Sequence, residues 1–210
     1  MKIIKPSYEI LAIMPEKPLE YIERAGRTAY KSEDKIGPGT AEAFVRMILQ
    51  LGHESVIEHA SMSVHFVCDR GVSHELVRHR LCAFTQESTR YCNYGKDKFG
   101  GELTFIRPPF WPGEDQLQLS EVWEQSMTQA ESWYLGFIDQ GVQPQEARSV
   151  LPNSLKTEIV VTANLREWRH IFRLRTSDKA HPQMREIMRP LLAECRQRIP
   201  VLFDDVGEIQ

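Results

Sequence analysis

No apolar run in these 210 residues approaches the ~20 that a membrane-spanning helix needs. The opening MKIIKPSYEILAIMP also lacks the long apolar core and cleavage site of a signal peptide, so a cytoplasmic, membrane-free protein is expected. Cysteine is scarce: Cys68, Cys82, Cys92 and Cys195 are unevenly spaced with no CxxC pair, which argues against a zinc knuckle or a disulfide framework and for free thiols. No Gly-x-Gly-x-x-Gly follows a strand, so no Rossmann dinucleotide site is indicated, and no internal repeat or low-complexity tract is present.

What is present is ordinary for a globular chain, with 41% hydrophobic and 26% charged residues. This length supports one domain, residues 1–210, with a sizeable core. The net charge of −3 is unevenly spread. Residues 101–143 carry one base and seven acids, whereas 144–198 carry eleven bases and six acids. The basic segment includes Arg148, Arg166, Arg169, Arg173 and Arg175, which reads either as the lining of an anionic site or as a solvated helix face.

Periodicity predicts a strand at Tyr8 to Met14, a helix from Pro18 to about Tyr30, and a helix through Gln50 with Thr40 as N-cap and Gly52 past its end. Met62, Val64, Phe66 and Cys68 alternate along a half-buried strand, followed by a helix from Ser73 to about Leu81. Phe99 to Gly113 reads as a loop, a candidate lid, with a short strand at Leu103 to Ile106. A long helix covers Asp115 to Gln140, with an apolar stripe of Leu119, Val122, Met127, Ala130, Trp133 and Phe137 and its acids facing solvent. A short helix from Pro144 carries Arg148, a strand covers Glu158 to Leu165, and helices cover Glu167 to Arg175 and Pro182 to about Arg198. Helices and strands without regular βαβ alternation indicate an α+β fold.

The densest chemistry lies between Arg78 and Tyr91, where Arg78, His79, Arg80 and Arg90 are interleaved with hydroxyl, amide and acid groups. A guanidinium is planar, permanently charged and able to bond phosphate in pairs, so the cluster suits a nucleotide phosphate; surface ion pairing is the plainer alternative. On a helix Arg78 and Arg80 would point about 200° apart and so serve different ligands or subunits. A metal enzyme built on His53, Glu54, Glu58 and His59 is disfavoured, since the histidines are six apart and about 240° around an α-helix. A nucleic-acid-binding module is disfavoured by the acidic net charge and the lack of a motif. No metal and no nucleic-acid partner are therefore expected.

The run Arg78-His79-Arg80, two residues, Ala83, four residues, Ser88, one residue, Arg90 resembles the signature of flavin-dependent thymidylate synthases, with alanine where the first serine is usual. Three further blocks resemble that family in order and spacing: Gly52 to His59, Gln145 to Pro152, and Asn164-Leu165-Arg166 with Leu174-Arg175. The resemblance implies a small, mostly antiparallel sheet with surrounding helices, and a homotetramer whose sites are shared between subunits. It also implies methylation of dUMP to dTMP with 5,10-methylenetetrahydrofolate as carbon donor and FAD, reduced by NADPH, as hydride carrier. By the same resemblance Ser55, Arg78, His79, Arg80, Gln86, Asn164, Leu165, Arg166 and His170 would contact the flavin. Glu75, Leu76, Val77, Arg78, Gln86, Glu87, Ser88, Thr89, Arg90, Arg148 and Arg175 would surround dUMP. Arg175 is the implied catalytic residue, lying against the uracil ring, where a fixed positive charge favours ionisation at N3. Ser88 is read as a phosphate or ribose contact rather than a nucleophile, because no general base is evident beside it. His53 is read as ordering folate and flavin, with a core histidine as the alternative. A non-catalytic nucleotide-binding relative remains the other reading of the same residues.

Overall fold

The computed structural model describes residues 1–96, 100–111 and 116–207. It is an α+β fold with a small antiparallel sheet and a separate parallel strand pair. In chain order the elements are β1 (Lys2–Ile4), β2 (Ser7–Met14), α1 (Pro18–Thr28), α2 (Thr40–Gln50), a 3₁₀ helix (Glu54–His59), β3 (Ser61–Asp69) and α3 (Arg70–Leu76). Then follow β4 (Cys82–Gln86), β5 (Thr104–Ile106), α4 (Leu117–Asp139), α5 (Pro144–Ala147), β6 (Lys156–Asn164), α6 (Leu165–Arg175), α7 (Pro182–Arg198) and α8 (Pro200–Phe203). The four-stranded sheet has the order β2-β3-β6-β4, and β1 pairs in parallel with β5, Ile3 opposite Phe105.

Two compact units partition the chain, the first comprising 1–7, 66–78 and 85–159, the second 8–65, 79–84 and 160–210. The chain passes from one to the other within β2, β3, β4 and β6 and once between α3 and β4. In the first unit Phe105 of β5 and Trp123, Met127 and Tyr134 of α4 share a core with Tyr94, Leu103, Ala147 and Leu155. In the second, the indole N–H of Trp168 donates to the Met62 carbonyl at 2.8 Å, and Phe172 meets the Trp168 ring at a tilt and the Phe203 ring edge-on, with centroids 5.6 and 5.7 Å apart. Burying such aromatic surface is the main stabilising term available to a chain of this size.

Most predicted elements are present, with informative differences. The expected helix at Ser73 to Leu81 instead starts at Arg70, because the Asp69 carboxylate accepts the Val72 amide at 2.9 Å and caps it there. It ends at Leu76, so Arg78 and Arg80 lie beyond the helix and the helical-wheel argument about them does not apply. Thr40 is the first residue of α2 rather than its cap; Gly39 holds the cap position at φ +77. The Thr40 hydroxyl instead donates to Glu23 at 2.8 Å, tying α2 to α1. Gly52 does adopt φ +73 past the end of α2, as a C-terminal glycine should.

The face that α4 buries is Trp123, Met127, Ala130 and Tyr134, while Leu119, Val122, Trp133 and Phe137 are exposed, so the predicted stripe mixed two faces. Nor do all of its acids face solvent: Glu131 accepts the Leu103 amide at 2.8 Å and pairs with the N-terminal amine at 3.1 Å. The Asp115 end of that helix, and the Phe99 and Gly113 ends of the candidate lid, lie outside the described residues. All four cysteines are free thiols, Cys68 and Cys195 fully buried.

Candidate functional site

In the first unit the residues expected around the nucleotide gather about β4 and the turn that follows it. The Gln86 amide donates to Ser73 Oγ at 2.9 Å and to Thr157 Oγ1 at 3.2 Å. Both oxygens of the Glu87 carboxylate are engaged, by the Tyr94 hydroxyl at 2.9 Å and by Lys156 Nζ at 3.1 Å. Glu87 is thus held by its own chain at both ends, since its main-chain amide also donates to the Glu158 carbonyl at 2.8 Å. Lys156 and Tyr94 were not singled out in the sequence, since neither lies in a motif. The Ser88 hydroxyl accepts the Arg90 amide at 3.3 Å, and among the described residues it bonds to no histidine or carboxylate that could act as a base. Arg148 reaches Thr89 Oγ1 at 3.2 Å, and Arg90 lies over the Tyr91 ring. Glu75 and Val77 flank Leu76 at the end of α3; Leu76 is buried, so its side chain belongs to the core. Arg78 is exposed and its guanidinium meets no anion among the described residues.

The second unit holds most of the residues expected on the flavin. Arg80 is exposed and, like Arg78, has no ion pair among the described residues. Ser55 and Arg166 line one pocket of about 390 Å³ together with His53, Tyr30, Phe44 and Val56. His53 is exposed in this pocket, which removes the core-histidine reading. Asn164 uses its side-chain oxygen to cap α6, accepting the Glu167 amide at 2.8 Å. Leu165 is fully buried and its amide donates to the Ala60 carbonyl at 2.9 Å, so it can offer a ligand only its own carbonyl.

Three guanidiniums of α6 converge on one carboxylate: Arg169 and Arg173 lie 3.2 and 3.1 Å from Glu54, and Arg166 lies 3.8 Å from it and 2.6 Å from Glu58. Arg169 is buried and also grips Asp205 with both terminal nitrogens, at 2.7 and 2.6 Å. It therefore lines no anion site, contrary to the charge-pattern expectation. Its partners, Asp205 and Glu54, were invisible to a reading of local charge. Burial alone would raise the Glu54 carboxyl, but the hydrogen bonds and charges of Arg173 and Arg169 outweigh it and hold the group below its usual range.

At the other end of α6 the Arg175 Nε donates to His79 Nε2 at 3.0 Å. His79 Nδ1 lies 3.6 Å from the Glu167 carboxylate, and the ring meets His170 edge-on at 6.0 Å. Burial first, then the charges of Arg175 and His170, push the His79 imidazole down to about 4. Burial likewise raises the Glu167 carboxyl, against His170. His79, Glu167 and His170 offer donor atoms within 4.8 Å of one another, a spacing that a divalent cation could use. The Arg175 hydrogen bond opposes that use: it requires the Nε2 lone pair, so the ring proton sits on Nδ1, the nitrogen that would have to bind the cation. The segment considered for a metal from sequence is a 3₁₀ helix over Glu54–His59 with His53 as its N-cap, not an α-helix.

The family model described as "Thymidylate synthase complementing protein" matches residues 9–201. A flavin-dependent thymidylate synthase of Pyrococcus furiosus is 35% identical over 201 residues, covering 92% of this chain and 79% of that protein. One of Geobacter sulfurreducens is 34% identical over 192 residues, covering 87% and 79%. Among solved structures, the UMP/dUMP methylase PolB of Streptomyces cacaoi, bound with 5-Br dUMP, superposes with a TM-score of 0.81 over 97% of this chain and 96% of that one, at 23% identity, which shows a shared fold. No helix among the described residues is long and apolar enough to cross a membrane. With the family model covering nearly the whole chain and relatives above 30% identity, this chain belongs to the flavin-dependent thymidylate synthases.

Proposed function

We propose that the protein methylates dUMP to dTMP in the cytoplasm as a single-domain subunit of a homotetramer, with 5,10-methylenetetrahydrofolate as carbon donor and NADPH as reductant of a bound FAD. The observation that carries this reading is the state of the Arg78-His79-Arg80 motif. Its two arginines are exposed and engage no anion among the described residues, although arginines elsewhere in the chain, such as Arg166, Arg169 and Arg173, are ion-paired. Exposed guanidiniums beside neutral, ordered side chains suit phosphate groups.

The residues fit a flavin: the pocket of Ser55, His53 and Arg166 has the aromatic wall of Tyr30 and Phe44 for a planar ring. Ser55, Arg78, His79, Arg80, Gln86, Asn164, Leu165, Arg166 and His170 would hold it, Asn164 through its side-chain NH₂ and Leu165 through its carbonyl. Bound there, FAD would supply the hydride that completes the methyl group. The protein's own part is binding and electrostatics. Arg148, Arg90 and the main chain of Ser88 and Thr89 would hold the nucleotide, while Glu75, Leu76 and Val77 shape the end of α3 beside them. Arg175 would place its charge where the uracil ring ionises, a fixed dipole that needs no reorganisation during the reaction.

The test is an absorbance spectrum of the purified protein, followed by anaerobic NADPH with and without dUMP. Flavin bands that bleach, and dTMP formed once methylenetetrahydrofolate is added, are expected. Arg175→Ala should then lower turnover by about 10²- to 10³-fold, the usual effect of removing a charge-stabilising donor. A protein that neither retains nor takes up FAD would overturn the proposal, and one that binds FAD and dUMP without turnover would be a nucleotide-binding relative.

A further inference from the structure

Arg175 is the last residue of α6, where a long side chain would otherwise sample several rotamers. Its Nε–H is instead fixed on His79 Nε2 at 3.0 Å. Arginine is always a donor, so Nε2 must offer a lone pair and the single proton of the neutral ring must sit on Nδ1. Glu167 stands on that side: its Oε1 is 3.6 Å from Nδ1, longer than a hydrogen bond but close enough for the carboxylate charge to favour an N–H there. The His79 and Glu167 side chains are only 5% and 10% exposed, so water does not compete for either nitrogen. Glu167 is itself held in place, as the third residue of α6, by its amide bond to the Asn164 cap at 2.8 Å. Burial keeps the ring uncharged at neutral pH, which acceptance from an arginine requires.

We infer that Glu167 and His79 are a positioning pair: the carboxylate holds His79 as its Nδ1–H tautomer, and the Nε2 lone pair so exposed aims the Arg175 guanidinium. The functional consequence rests on the reading of Arg175 as the residue that lies against the uracil ring. The pair adds a role to His79 beyond flavin contact and assigns one to Glu167. Glu167 is a positioning residue, since it acts through His79 and Arg175 rather than on the substrate.

The first measurement is a long-range ¹⁵N–¹H spectrum of the histidine rings in the intact wild-type protein at neutral pH, with His79 assigned by its loss in His79→Gln. A neutral ring protonated on Nδ1 is expected; a ring protonated on Nε2, or a charged ring, overturns the pair. The second compares Glu167→Gln, which keeps an oxygen acceptor, with Glu167→Met, which keeps only the bulk. Met is expected to lower kcat by about 10- to 100-fold, the scale of a misaimed catalytic group, with a smaller change in KM for dUMP and unchanged FAD retention. Gln is expected to recover most of that loss. Met turning over like wild type, or Gln falling as low as Met, sinks the inference. Should Met fail to fold, the spectrum and the Gln variant still decide. Because the spectrum needs no substrate, the two ideas fail separately. An Nδ1–H ring in a protein that makes no dTMP overturns the proposed activity, whereas an Nε2–H ring in an active enzyme overturns the pair.

Discussion

Arg169 and Arg80 are both arginines in basic segments, yet the chain uses them in opposite ways. Arg80 is proposed as a ligand group because its neighbours form a motif with fixed spacing, and the structure leaves it exposed without an ion pair among the described residues. Arg169 was misread because its partner Asp205 is 36 residues away and Glu54 is 115 away, beyond any local pattern. Burial works to raise the Asp205 carboxyl, but the hydrogen bonds and charge of Arg169 hold it below its usual range. A carboxyl with a folded pKa below its unfolded one stabilises the fold above the unfolded value, about 3.9, and that contribution disappears as pH falls through the folded value. Asp205→Asn is therefore expected to cost about 1–3 kcal/mol at neutral pH, as loss of a charged hydrogen-bond partner does. The lower part of that range is favoured because Asp205 is 58% exposed and Arg169 keeps Glu54 and the Leu202 carbonyl. Urea denaturation across pH 2.5–7 checks this: the variant should differ from wild type at neutral pH and converge with it in acid. An undiminished gap at the acid end would show that the carboxylate charge is not responsible.

At the scale of elements, the turn glycine at Gly52 was read well, while the N-caps of α2 and α3 and the faces were read poorly. Gly52 and the end of α2 followed from one residue's conformational freedom, whereas the start of α3 depended on the Asp69 carboxylate turning back to the Val72 amide, which propensity does not decide. The buried side of α4 could not be chosen from sequence, because apolar residues lie on both sides and only the partners of Trp123 and Tyr134 settle which is inward. Close packing of α1 on α2 was also not legible. A Cβ on Gly26 would stand 2.6 Å from two ring atoms of Phe44 and 3.0 Å from Val56, so the helices approach as they do only because that side chain is absent. Gly26→Ala raises helix propensity but forces the Phe44 ring to move, and overpacking of this kind costs about 1–3 kcal/mol, more than the ~1 kcal/mol that alanine returns. Thermal unfolding should show a lower midpoint; a raised one would mean the ring shifts freely. Gly26, Phe44 and Val56 also line the pocket of Ser55, so weaker FAD retention should accompany the loss.

For the whole molecule, the fold class was legible because strand and helix periods are clear, while the strand order β2-β3-β6-β4 was not, since it depends on pairings between distant segments. The proposed homotetramer bears on a feature that a monomer leaves unexplained. Leu119, Val122, Trp133 and Phe137 fall on one side of α4 and are 51, 59, 56 and 38% exposed. Single exposed apolar residues are normal, but a row of four large ones along one helix is what chains cover on assembly. A second copy of the chain is the partner that the proposed homotetramer would supply, and symmetric association would present the same face of each copy. Trp133→Glu puts a charge in that row while leaving the buried face of α4 intact, so it should keep the monomer folded and lower the sedimenting mass. Wild type is expected to sediment at about four times the 24.3 kDa chain mass and the variant at a smaller multiple. Unchanged circular dichroism with unchanged sedimentation would place assembly on another surface. A smaller species that also loses turnover, with normal folding, would further indicate that the sites are completed by neighbouring chains.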